Sequence, residues 1–525
     1  MSTARSFRFL MMAVLVLCTS ACASTRGYRI GNDYVIDRKV NLRGGILDLP
    51  EGCNLVFKGK GMILNGTVVG KHTRILADKR LIMENVTIAK RGTWKTGRSY
   101  PEWFGASDNK SIDSKMAIQK AIDVADTCVL SQTYYTSYNT QTNRGDAVSI
   151  CAIEIANTVL IGEGGNKILI NAGHANTEKT SVFWVGDNVT IDGINIEYYN
   201  TEYTGWTGVQ AGVYRVQGGN VTIQNTSLRG AMAAWINIQG KTGRSGFIIR
   251  NNYVHDCDCG VIIQGDNHKD GVIYPLNLEV LNNTIEKEQV RHSEFISFWG
   301  CCKDGGKVYY TNVSIKNNTF RGGWQGGCIT GNPKDNGLRD VVISDNQFDD
   351  CGACSFYNTD GLTYIRNYVT RSSFIERQVK GINGSYPHLN FTNCKNCIID
   401  DISCFGLSFD NCQNIKIGKI KQTLCIEEDD PYFLQKPVYV TNFIGIKAKN
   451  STVTIDELTI NPFAKETAST DACRYYVNQT SGSNIKISKT VSTIPIQMSA
   501  KGVSMKNRQF KMNKNIQTQY IDTTK

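Results

Sequence analysis

The sequence predicts an all-β fold, a right-handed parallel β-helix, from three observations. Short runs of alternating apolar residues recur along most of the chain. A bend marked by Asn or Asp follows each run, and the bends recur about every 20–35 residues, a period typical of solenoids. A single amphipathic helix signal stands near the start of the chain. Together these features indicate stacked repeats, each covering the apolar face of its neighbour.

The repeats are clearest between residues 188 and 369. Each has alternating apolar residues, then Asn or Asp at a bend, then another apolar pair. The seven copies are NVTIDGINI (188–196), NVTIQNTSL (220–228), FIIRNNYV (247–254), LEVLNNTI (278–285), VSIKNNTF (313–320), VVISDNQF (341–348) and LTYIRNYV (362–369). Weaker copies extend the pattern to about residue 460.

The length of the strands selects the kind of solenoid. Runs of three to five residues are too short for a self-sufficient sheet, so each strand must pair with its counterpart one coil away. We expect the order V-x-I strand, Asn bend, short second strand, variable turn and third strand, as in VIIQG (261–265). Asn tolerates left-handed backbone angles at the bend. We also expect its side-chain amide to bond the Asn of the next coil, which makes an internal ladder.

The isolated helix signal falls at about residues 111–126. Ala117, Ile118, Ala121, Ile122 and Ala125 form one apolar stripe at helical spacing. Ser111 or Asp113 is the expected N-cap. A stacked solenoid leaves an open apolar end and unpaired strand edges, which favour aggregation unless they are covered. The sequence therefore predicts that this helix caps the N-terminal end of the β-helix.

The region around the helix carries a family resemblance. The segments Phe104-Gly105-Ala106, Ala117-Ile118-Gln119 and Gly162-Glu163-Gly164 resemble the N-terminal signature of the pectate-lyase-like β-helix superfamily. Ser107-Asp108-Asn109 departs from the Gly-Asp-Gly usual there. The superfamily includes polygalacturonases, polysaccharide lyases and phage tailspikes. The resemblance implies the fold more strongly than the reaction, because one fold hosts many activities.

The two ends of the chain predict export and a flexible tail. Residues 1–22 have the layout of a secretory signal, with basic residues before an apolar run. Cys22 fits a lipoprotein signal, and Ala21-Cys22-Ala23 fits signal peptidase cleavage, so both remain open. We expect a periplasmic, outer-membrane or cell-surface (if Cys22 is lipidated), or extracellular protein. Residues 27–98 are predicted to be leading irregular β-coils, 99–470 the β-helix, and 471–525 a cap with a basic tail.

Composition narrows the partners. The 525 residues carry a formal charge of +11, which falls to +9 without Arg5 and Arg8 of residues 1–22. This modest excess is typical of a solvated surface with extra Lys, and a groove for a polyanion such as a uronic-acid polysaccharide is the alternative. Nucleic acid is not expected, because no basic run has interleaved aromatic residues. A membrane contact is expected only through a lipid anchor. Close pairs of Cys, such as Cys257/Cys259 and Cys351/Cys354, recur beside turns once per repeat, and most of the 18 Cys are expected to be buried and reduced.

The turn before the third strand is the predicted site. Variable turns of successive coils come close together in space, since adjacent coils lie about 4.8 Å apart. The predicted catalytic residues are Asp256, Asp258, Arg291, His292, Glu294 and Arg321, and the predicted substrate-binding residues are Trp299, Trp324 and Tyr357.

Three functions remain open at this point. The leading hypothesis is an exported enzyme that cleaves an acidic polysaccharide, either by hydrolysis with two carboxylates or by elimination with a base and Ca²⁺ or Arg. No cofactor is certain, and Ca²⁺ is the candidate. The alternative is a non-catalytic carbohydrate-binding, adhesin-like surface protein. The third is a tailspike-like module, which would be a trimer, whereas the other two are expected to be monomers.

Overall fold

The computed structural model describes residues 27–137, 153–171, 181–199, 212–231, 234–240, 244–265, 272–288, 294–299, 307–323, 327–331, 334, 336–371, 388–423, 442–461, 474–479, 482–492, 496–500 and 518–521. The chain forms two compact units. The first comprises Met1–Ser137 and Asn157–Ile170, and the second comprises Tyr138–Ala156 and Asn171–Lys525.

The first unit contains short strands, one 3₁₀ turn (Pro101–Phe104) and one α-helix, α1 (Lys115–Asp123). In chain order the strands up to residue 171 are β1 (Tyr28–Ile30), β2 (Asp33–Ile36), β3 (Lys39–Asn41), β4 (Ile46–Asp48), β5 (Asn54–Phe57), β6 (Met62–Val69), β7 (Arg74–Leu76), β8 (Met83–Ile88), β9 (Thr96–Ser99), β10 (Ala125–Leu130), β11 (Thr133–Ser137), β12 (Ile153–Ile155), β13 (Val159–Gly162) and β14 (Lys167–Asn171). Of these, β12 belongs to the second unit.

Most strand pairs in the first unit are parallel. The strands β2, β5 and β7 stack in parallel, and β1 adds an antiparallel edge to β2. The strands β3, β4 and β8 all pair with β6. The strand β10 lies between β9 and β13. The leading segment therefore already has the coiled, parallel character that its Gly-interrupted apolar runs predict.

The helix α1 packs by its small apolar stripe. Ala117, Ile118, Ala121 and Ile122 are buried, while Met116 on the opposite side is exposed. The helix is shorter than predicted, and its N-cap is Ser114, which makes no side-chain cap bond. The Asp113 carboxylate instead accepts a hydrogen bond from the Lys115 amide at 2.9 Å. The Ser99 hydroxyl donates to the Ala121 carbonyl at 2.6 Å, which fixes α1 beside β9. Its role as the end cap of the β-helix remains a prediction.

The second unit is a right-handed parallel β-helix. Its further strands are β15 (Phe183–Val185), β16 (Val189–Asp192), β17 (Asn195–Tyr199), β18 (Gly212–Val216), β19 (Val221–Gln224), β20 (Ser227–Ala231), β21 (Ala234–Gly240), β22 (Phe247–Arg250), β23 (Tyr253–Cys257), β24 (Val261–Gly265), β25 (Ile273–Leu281), β26 (Thr284–Lys287), β27 (Ile296–Trp299), β28 (Val308–Lys316), β29 (Thr319–Gly322), β30 (Gly327–Gly331), β31 (Asn336–Ser344), β32 (Gln347–Asp349), β33 (Ala353–Tyr357), β34 (Asp360–Ile365), β35 (Tyr368–Arg371), β36 (His388–Thr392), β37 (Lys395–Asp400), β38 (Ile402–Cys404), β39 (Gly406–Asp410), β40 (Gln413–Thr423), β41 (Asn442–Lys449), β42 (Thr452–Asn461), β43 (Arg474–Gln479), β44 (Asn484–Ser492), β45 (Ile496–Ala500) and β46 (Thr518–Ile521).

These strands form three parallel faces. From β16 to β36 each coil contributes one strand to each face, and the later described strands continue faces A and C. Face A runs β16–β19–β22–β25–β28–β31–β34–β37–β40–β42–β44, with β46 antiparallel at its end. Face B runs β17–β20–β23–β26–β29–β32–β35. Face C runs β12–β15–β18–β21–β24–β27–β30–β33–β36–β39–β41–β43–β45. The predicted order of three strands per repeat is confirmed.

An asparagine ladder stabilises the bend between faces A and B. The side-chain amides of five Asn in successive coils are buried and linked end to end. The Nδ2–Oδ1 distances are 2.9, 3.0, 2.9 and 2.8 Å along Asn252, Asn283, Asn318, Asn346 and Asn367. Each Nδ2 also donates to a main-chain carbonyl one coil earlier, as Asn318 does to Val280 at 2.9 Å. The predicted internal ladder is confirmed.

The left-handed backbone angle at this bend belongs to a different residue. The positive φ values lie at Asn251, Asn282, Asn317 and Asp345, each one residue before a ladder Asn. The two roles that the sequence pattern assigned to one Asn are therefore divided between consecutive residues. The first turns the chain, and the second fills the buried ladder.

The described cysteines are free and buried. They are Cys53, Cys128, Cys257, Cys259, Cys351, Cys354, Cys394, Cys397, Cys404 and Cys412. Several thiols donate to main-chain carbonyls of the preceding coil, as Cys394 does to Phe356 at 3.3 Å. For these ten residues the structure agrees with buried, reduced thiols.

Candidate functional site

The candidate site lies where face B turns into face C. It includes the turn between β23 and β24 and, in the next coil, the described residues Lys287, Glu288 and Glu294. The register places His255 opposite Glu286 on face B and Val261 opposite Ile296 on face C. Asp256 therefore stacks on Lys287, and Cys259 stacks on Glu294. Residues far apart in the chain become lateral neighbours here because the coils are in register.

One position in this turn normally requires a left-handed residue. Gly230, Asp256, Gly322 and Asp350 occupy it in successive coils with φ values of 79°, 54°, 75° and 53°. Lys287 occupies the same position between Asp256 and Gly322, and it does not adopt a positive φ. Its coil therefore turns differently from the two adjacent coils. The Lys287 side chain points inward, as the alternation of its strand requires, and is 2% exposed.

Glu294 interrupts a row of small residues at the start of face C. The equivalent positions in the flanking coils are Gly212, Ala234 and Cys259 before it and Gly327 and Ala353 after it. His388 follows Ala353 in the same row. Among these described positions, Glu294 carries the one carboxyl group, and small residues, Cys259 and Gly327, precede and follow it directly.

The Glu294 carboxyl group is half-buried and held by hydrogen bonds. The Ser297 hydroxyl donates to Glu294 Oε2 at 2.7 Å, and the Cys259 thiol donates to the same oxygen at 3.7 Å. Burial raises the pKa of Glu294, and this effect outweighs the opposing effects of the Ser297 hydrogen bond, the positive charge of Lys287 and the Cys259 thiol. A carboxyl group in this setting holds its proton at higher pH than an exposed one.

The two predicted aspartates lie deeper. Asp256 is 2% exposed and Asp258 is 0% exposed. Asp256 Oδ1 accepts a hydrogen bond from the Glu288 amide at 2.8 Å, and Asp256 Oδ2 lies 3.2 Å from His255 Nδ1. Asp258 Oδ2 lies 4.0 Å from the Cys259 sulfur. Neither aspartate faces solvent, so Glu294 is the accessible carboxyl group of the three.

Arg321 lies on a different surface from Glu294. It projects from the outward side of face B, between Glu286 at 2.5 Å and Asp349 at 2.9 Å. The same outward row carries mostly charged side chains along the solenoid, namely Glu197, Arg229, His255, Glu286, Arg321 and Asp349, so that Arg321 lies between two acids. A half-exposed arginine in such a ladder is explained by its two ion pairs.

Two predicted aromatic residues share the outward side of face C. Trp299 is 37% exposed and follows Gln239 and Gln264 in one row. Tyr357 lies in the same row two coils later, about 10 Å away along the backbone stack. The adjacent outward row consists mostly of short polar side chains, namely Asn237, Ser297, Thr330, Ser355, Asn390 and Ser408. This surface, the face C platform, runs directly from Glu294.

Cationic side chains border the far end of this platform. The Lys307 ammonium donates to Asn358 Oδ1 at 2.8 Å, next to Tyr357 in the chain. The Arg339 guanidinium lies 4.3 Å from the ring centre of Tyr309. A cavity of about 10 Å³, room for about one water molecule, lies here between Phe298 and Tyr357. It is far smaller than the roughly 300–1,000 Å³ of a typical ligand pocket, so a ligand would lie along the surface.

Several predicted residues lie outside the described residues. They are Arg291, His292, Trp324 and Cys22, and they remain predictions. In the described part of the chain, no three His, Cys, Asp or Glu side chains cluster in a way that would hold a metal ion. Among the described residues, no helix has the length and apolarity needed to span a bilayer.

Two buried site residues were not foreseen from the sequence. Lys287 and Ser297 contact Glu294 but carry no motif of their own. The alignment of repeats could have found Lys287, since it stands where the neighbouring coils have Gly or Asp. Ser297 could have been found by its place in the outward side of the third strand.

The chain is a right-handed parallel β-helix protein by its three parallel faces and its asparagine ladder. No protein-family model matches the sequence, and no curated protein is significantly similar to it. It is similar in structure to the Streptococcus pneumoniae surface protein and adhesin PfbA, with 13% identity, a TM-score of 0.36, and coverage of 77% of this chain and 98% of that one.

Two further solved structures are similar at the same level. The catalytic unit of a GH87 α-1,3-glucanase from Streptomyces thermodiastaticus has 9% identity and a TM-score of 0.32, covering 77% of this chain and 66% of that one. The tailspike protein of Escherichia coli bacteriophage HK620 has 11% identity and a TM-score of 0.32, covering 75% and 81%. At these identities the likeness concerns the fold alone.

Proposed function

We propose that this protein is an exported enzyme that cleaves an acidic polysaccharide bound along the face C platform, with Glu294 as the proton donor. The observation that carries the proposal is the Glu294 carboxyl group. It is half-buried, its pKa is raised by burial, and small residues precede and follow it in its row. A raised pKa lets a carboxylic acid keep its proton to higher pH, which favours the role of general acid in glycosidic bond cleavage.

The distance between the carboxyl groups of Glu294 and Asp258 is compatible with both hydrolytic mechanisms. Glu294 Oε2 and Asp258 Oδ2 both lie within 4.0 Å of the Cys259 sulfur, so they are at most about 8 Å apart. Retaining hydrolases separate their two carboxyl groups by about 5–5.5 Å and inverting ones by about 6.5–9.5 Å, and this bound admits both. Asp258 is buried, so water or substrate would have to reach it past Glu294.

Elimination is the other reaction that the predicted residues allow. A lyase needs a base to remove a proton and a cation to neutralise the uronic carboxylate. His292 and Arg291 are the predicted base and cation, and Ca²⁺ is the candidate cofactor. Both reactions break the same kind of bond, and their products differ.

The charge of the platform supports an acidic substrate. Lys307 and Arg339 border the end that carries Tyr357, and the whole chain has a formal charge of +11. Trp299 and Tyr357 provide apolar ring faces on which sugar rings can stack. Export rests on the leader at residues 1–22, with a membrane contact only through lipidated Cys22. We expect a monomer.

The test compares Glu294→Gln with Glu286→Gln on a panel of acidic polysaccharides. Reducing ends report hydrolysis, and absorbance of the unsaturated product reports elimination. We expect Glu294→Gln to lower turnover about 10²–10⁴-fold, the usual contribution of a general acid. Glu286 pairs with Arg321 on face B, so Glu286→Gln should keep wild-type turnover. Equal turnover of wild type and Glu294→Gln would reject the assignment.

A second function is a non-catalytic carbohydrate-binding surface protein. The observation that favours it is the outward row of hydroxyl and amide groups on face C, interrupted at Ile262, together with the burial of Asp256 and Asp258. In that case no substrate in the panel would be cleaved. Trp299→Ala and Tyr357→Ala would then weaken retention on immobilised polysaccharide, while Glu294→Gln would not.

A further inference from the structure

Lys287 has an unusual environment for a lysine. It is 2% exposed, and lysines are almost never fully buried unless they are paired. Its ammonium donates to the main-chain carbonyl of Asp258 at 2.8 Å and to that of Glu294 at 3.2 Å. The ammonium also lies 4.9 Å from the ring centre of Phe295. One side chain thus joins the turns of two successive coils.

The backbone at Lys287 differs from that of the two adjacent coils. The equivalent residues Gly230, Asp256, Gly322 and Asp350 have left-handed angles, which direct their coils differently. An added Cβ at Gly322 would overlap the Lys287 carbonyl oxygen, so the next coil must have glycine there. The main-chain position of Lys287 therefore constrains the residue type in the next coil as well as in its own.

The groups that face Glu294 can be named for the described elements. From the preceding coil, Cys259 donates to the carboxylate, and Asp258 lies behind the same thiol. From its own coil, Ser297 donates to it and Lys287 contributes the positive charge. In the next coil the described equivalents are Gly322 and Gly327, which carry no charge. Lys287 is thus the described cation beside Glu294.

We propose that Lys287 is a positioning residue for Glu294: it fixes the main chain that carries Glu294 to the preceding coil and places its ammonium group beside the Glu294 carboxyl group. This inference rests on the proposed function for its significance. The physical claim does not, because the contacts exist without substrate. A nearby cation favours the charged form of a carboxyl group and so limits how far burial can suppress its ionisation. Lys287 would therefore set the pH range in which Glu294 can both donate and accept a proton.

The test measures the titration of the Glu294 carboxyl carbon by ¹³C NMR in the full-length protein without substrate. Glu294→Gln identifies the signal. Lys287→Gln keeps one donor and removes the charge, and Lys287→Met removes both. We expect the Glu294 midpoint to move to higher pH in both variants by a similar amount. The thermal midpoint should fall more in Lys287→Met, because it leaves both carbonyls without this donor.

Lys307→Met is the matched control. It removes one positive charge from a lysine of the same unit whose ammonium binds Asn358. It should leave the Glu294 midpoint unchanged. An unchanged midpoint in Lys287→Gln, or an equal shift in Lys307→Met, would overturn the proposal. Failure of both Lys287 variants to fold would also reject it, because Lys287 would then be a determinant of the fold and not of the site.

The result is independent of activity. If Glu294→Gln remains fully active on its substrate while Lys287→Gln shifts the Glu294 titration, the proposed function fails and the positioning of Glu294 by Lys287 holds. If Glu294→Gln is inactive and Lys287→Gln leaves the titration unchanged, the proposed function holds and the positioning role fails.

Discussion

Replacement of Asn318 tests the asparagine ladder most directly. Its side chain is 1% exposed and lies in the middle of the five-residue ladder. Asn318 Oδ1 accepts from the Asn283 amide at 2.9 Å and from Asn283 Nδ2 at 3.0 Å. Its Nδ2 donates to Val280 at 2.9 Å and to Asn346 at 2.9 Å. Asn318→Ala removes all four hydrogen bonds and leaves the partners buried.

The expected loss of stability in Asn318→Ala depends on which hydrogen-bond partners of Asn318 remain unsatisfied. Asn346 Oδ1 keeps its bond from the Asn318 main-chain amide, and Asn283 Nδ2 keeps its bond to Ile249. The Asn283 main-chain N–H and one N–H of its side chain lose their acceptor. Each buried, unsatisfied group costs about 1–3 kcal/mol, so the free energy of unfolding should fall by about 4 kcal/mol.

Equilibrium unfolding in urea, followed by far-ultraviolet circular dichroism, measures the loss. Asn317→Gly is the control, since Asn317 is exposed and already has a left-handed angle with φ of 56°. Glycine adopts that angle freely, and we expect a change within about 0.5 kcal/mol. Hydrogen exchange at the Asn283 amide should accelerate in Asn318→Ala alone. A loss below about 1 kcal/mol, or a loss equal to that of Asn317→Gly, would refute the ladder as a major source of stability.

Three further predictions concern the turn, the thiols and the pH dependence. Gly322→Ala should lower the free energy of unfolding by at least about 2 kcal/mol, because φ is 75° and the new Cβ meets the Lys287 carbonyl oxygen. Gly97→Ala is the control and should change it little, since no atom lies within 4 Å of the new Cβ. Similar urea midpoints for the two variants would contradict this prediction. Burial raises the pKa of Cys128 and Cys257 to about 12. Mass mapping after iodoacetamide treatment at pH 8 should therefore find both thiols unlabelled in the folded protein and labelled in urea. Labelling of the folded protein at the rate seen in urea would disprove their burial. Because the pKa of Glu294 is raised in the folded state, its contribution to stability is fully present below its ordinary pKa of 4.5 and is lost as pH rises through the raised value. The stability of wild type relative to Glu294→Gln should therefore decline over that interval. A constant difference would argue against the raised pKa.

The repeat pattern determined the fold and the ladder because both depend on local chemistry. Alternating apolar residues specify a strand with one buried face, and a recurrent Asn at a bend specifies both a turn and a stacking amide. The pattern did not separate the left-handed residue from the ladder residue, since both are Asn at positions such as 251–252 and 282–283. Which of two adjacent Asn residues adopts the left-handed angle depends on the packing of the coil.

The candidate site was predicted less completely. The sequence indicated the turn before the third strand and named Glu294, Asp256 and Asp258. Sequence reasoning did not indicate how deeply each side chain is buried. In the structure both aspartates are buried, and Glu294 is half-exposed. Arg321 follows the same coil register but projects outward from face B, because alternate residues of a strand point to opposite sides.

By itself the sequence determined the three-strand repeat, the buried Asn ladder and the turn that carries the acidic residues, because apolar periodicity and Asn at bends act within one coil and its neighbour. Only the tertiary structure decided that Lys287 turns inward to join two coils and that Glu294 stands in a row of small side chains. Those relations arise from the register between coils. That register fixes lateral neighbours about 30 residues apart, which the order of residues in one repeat does not specify.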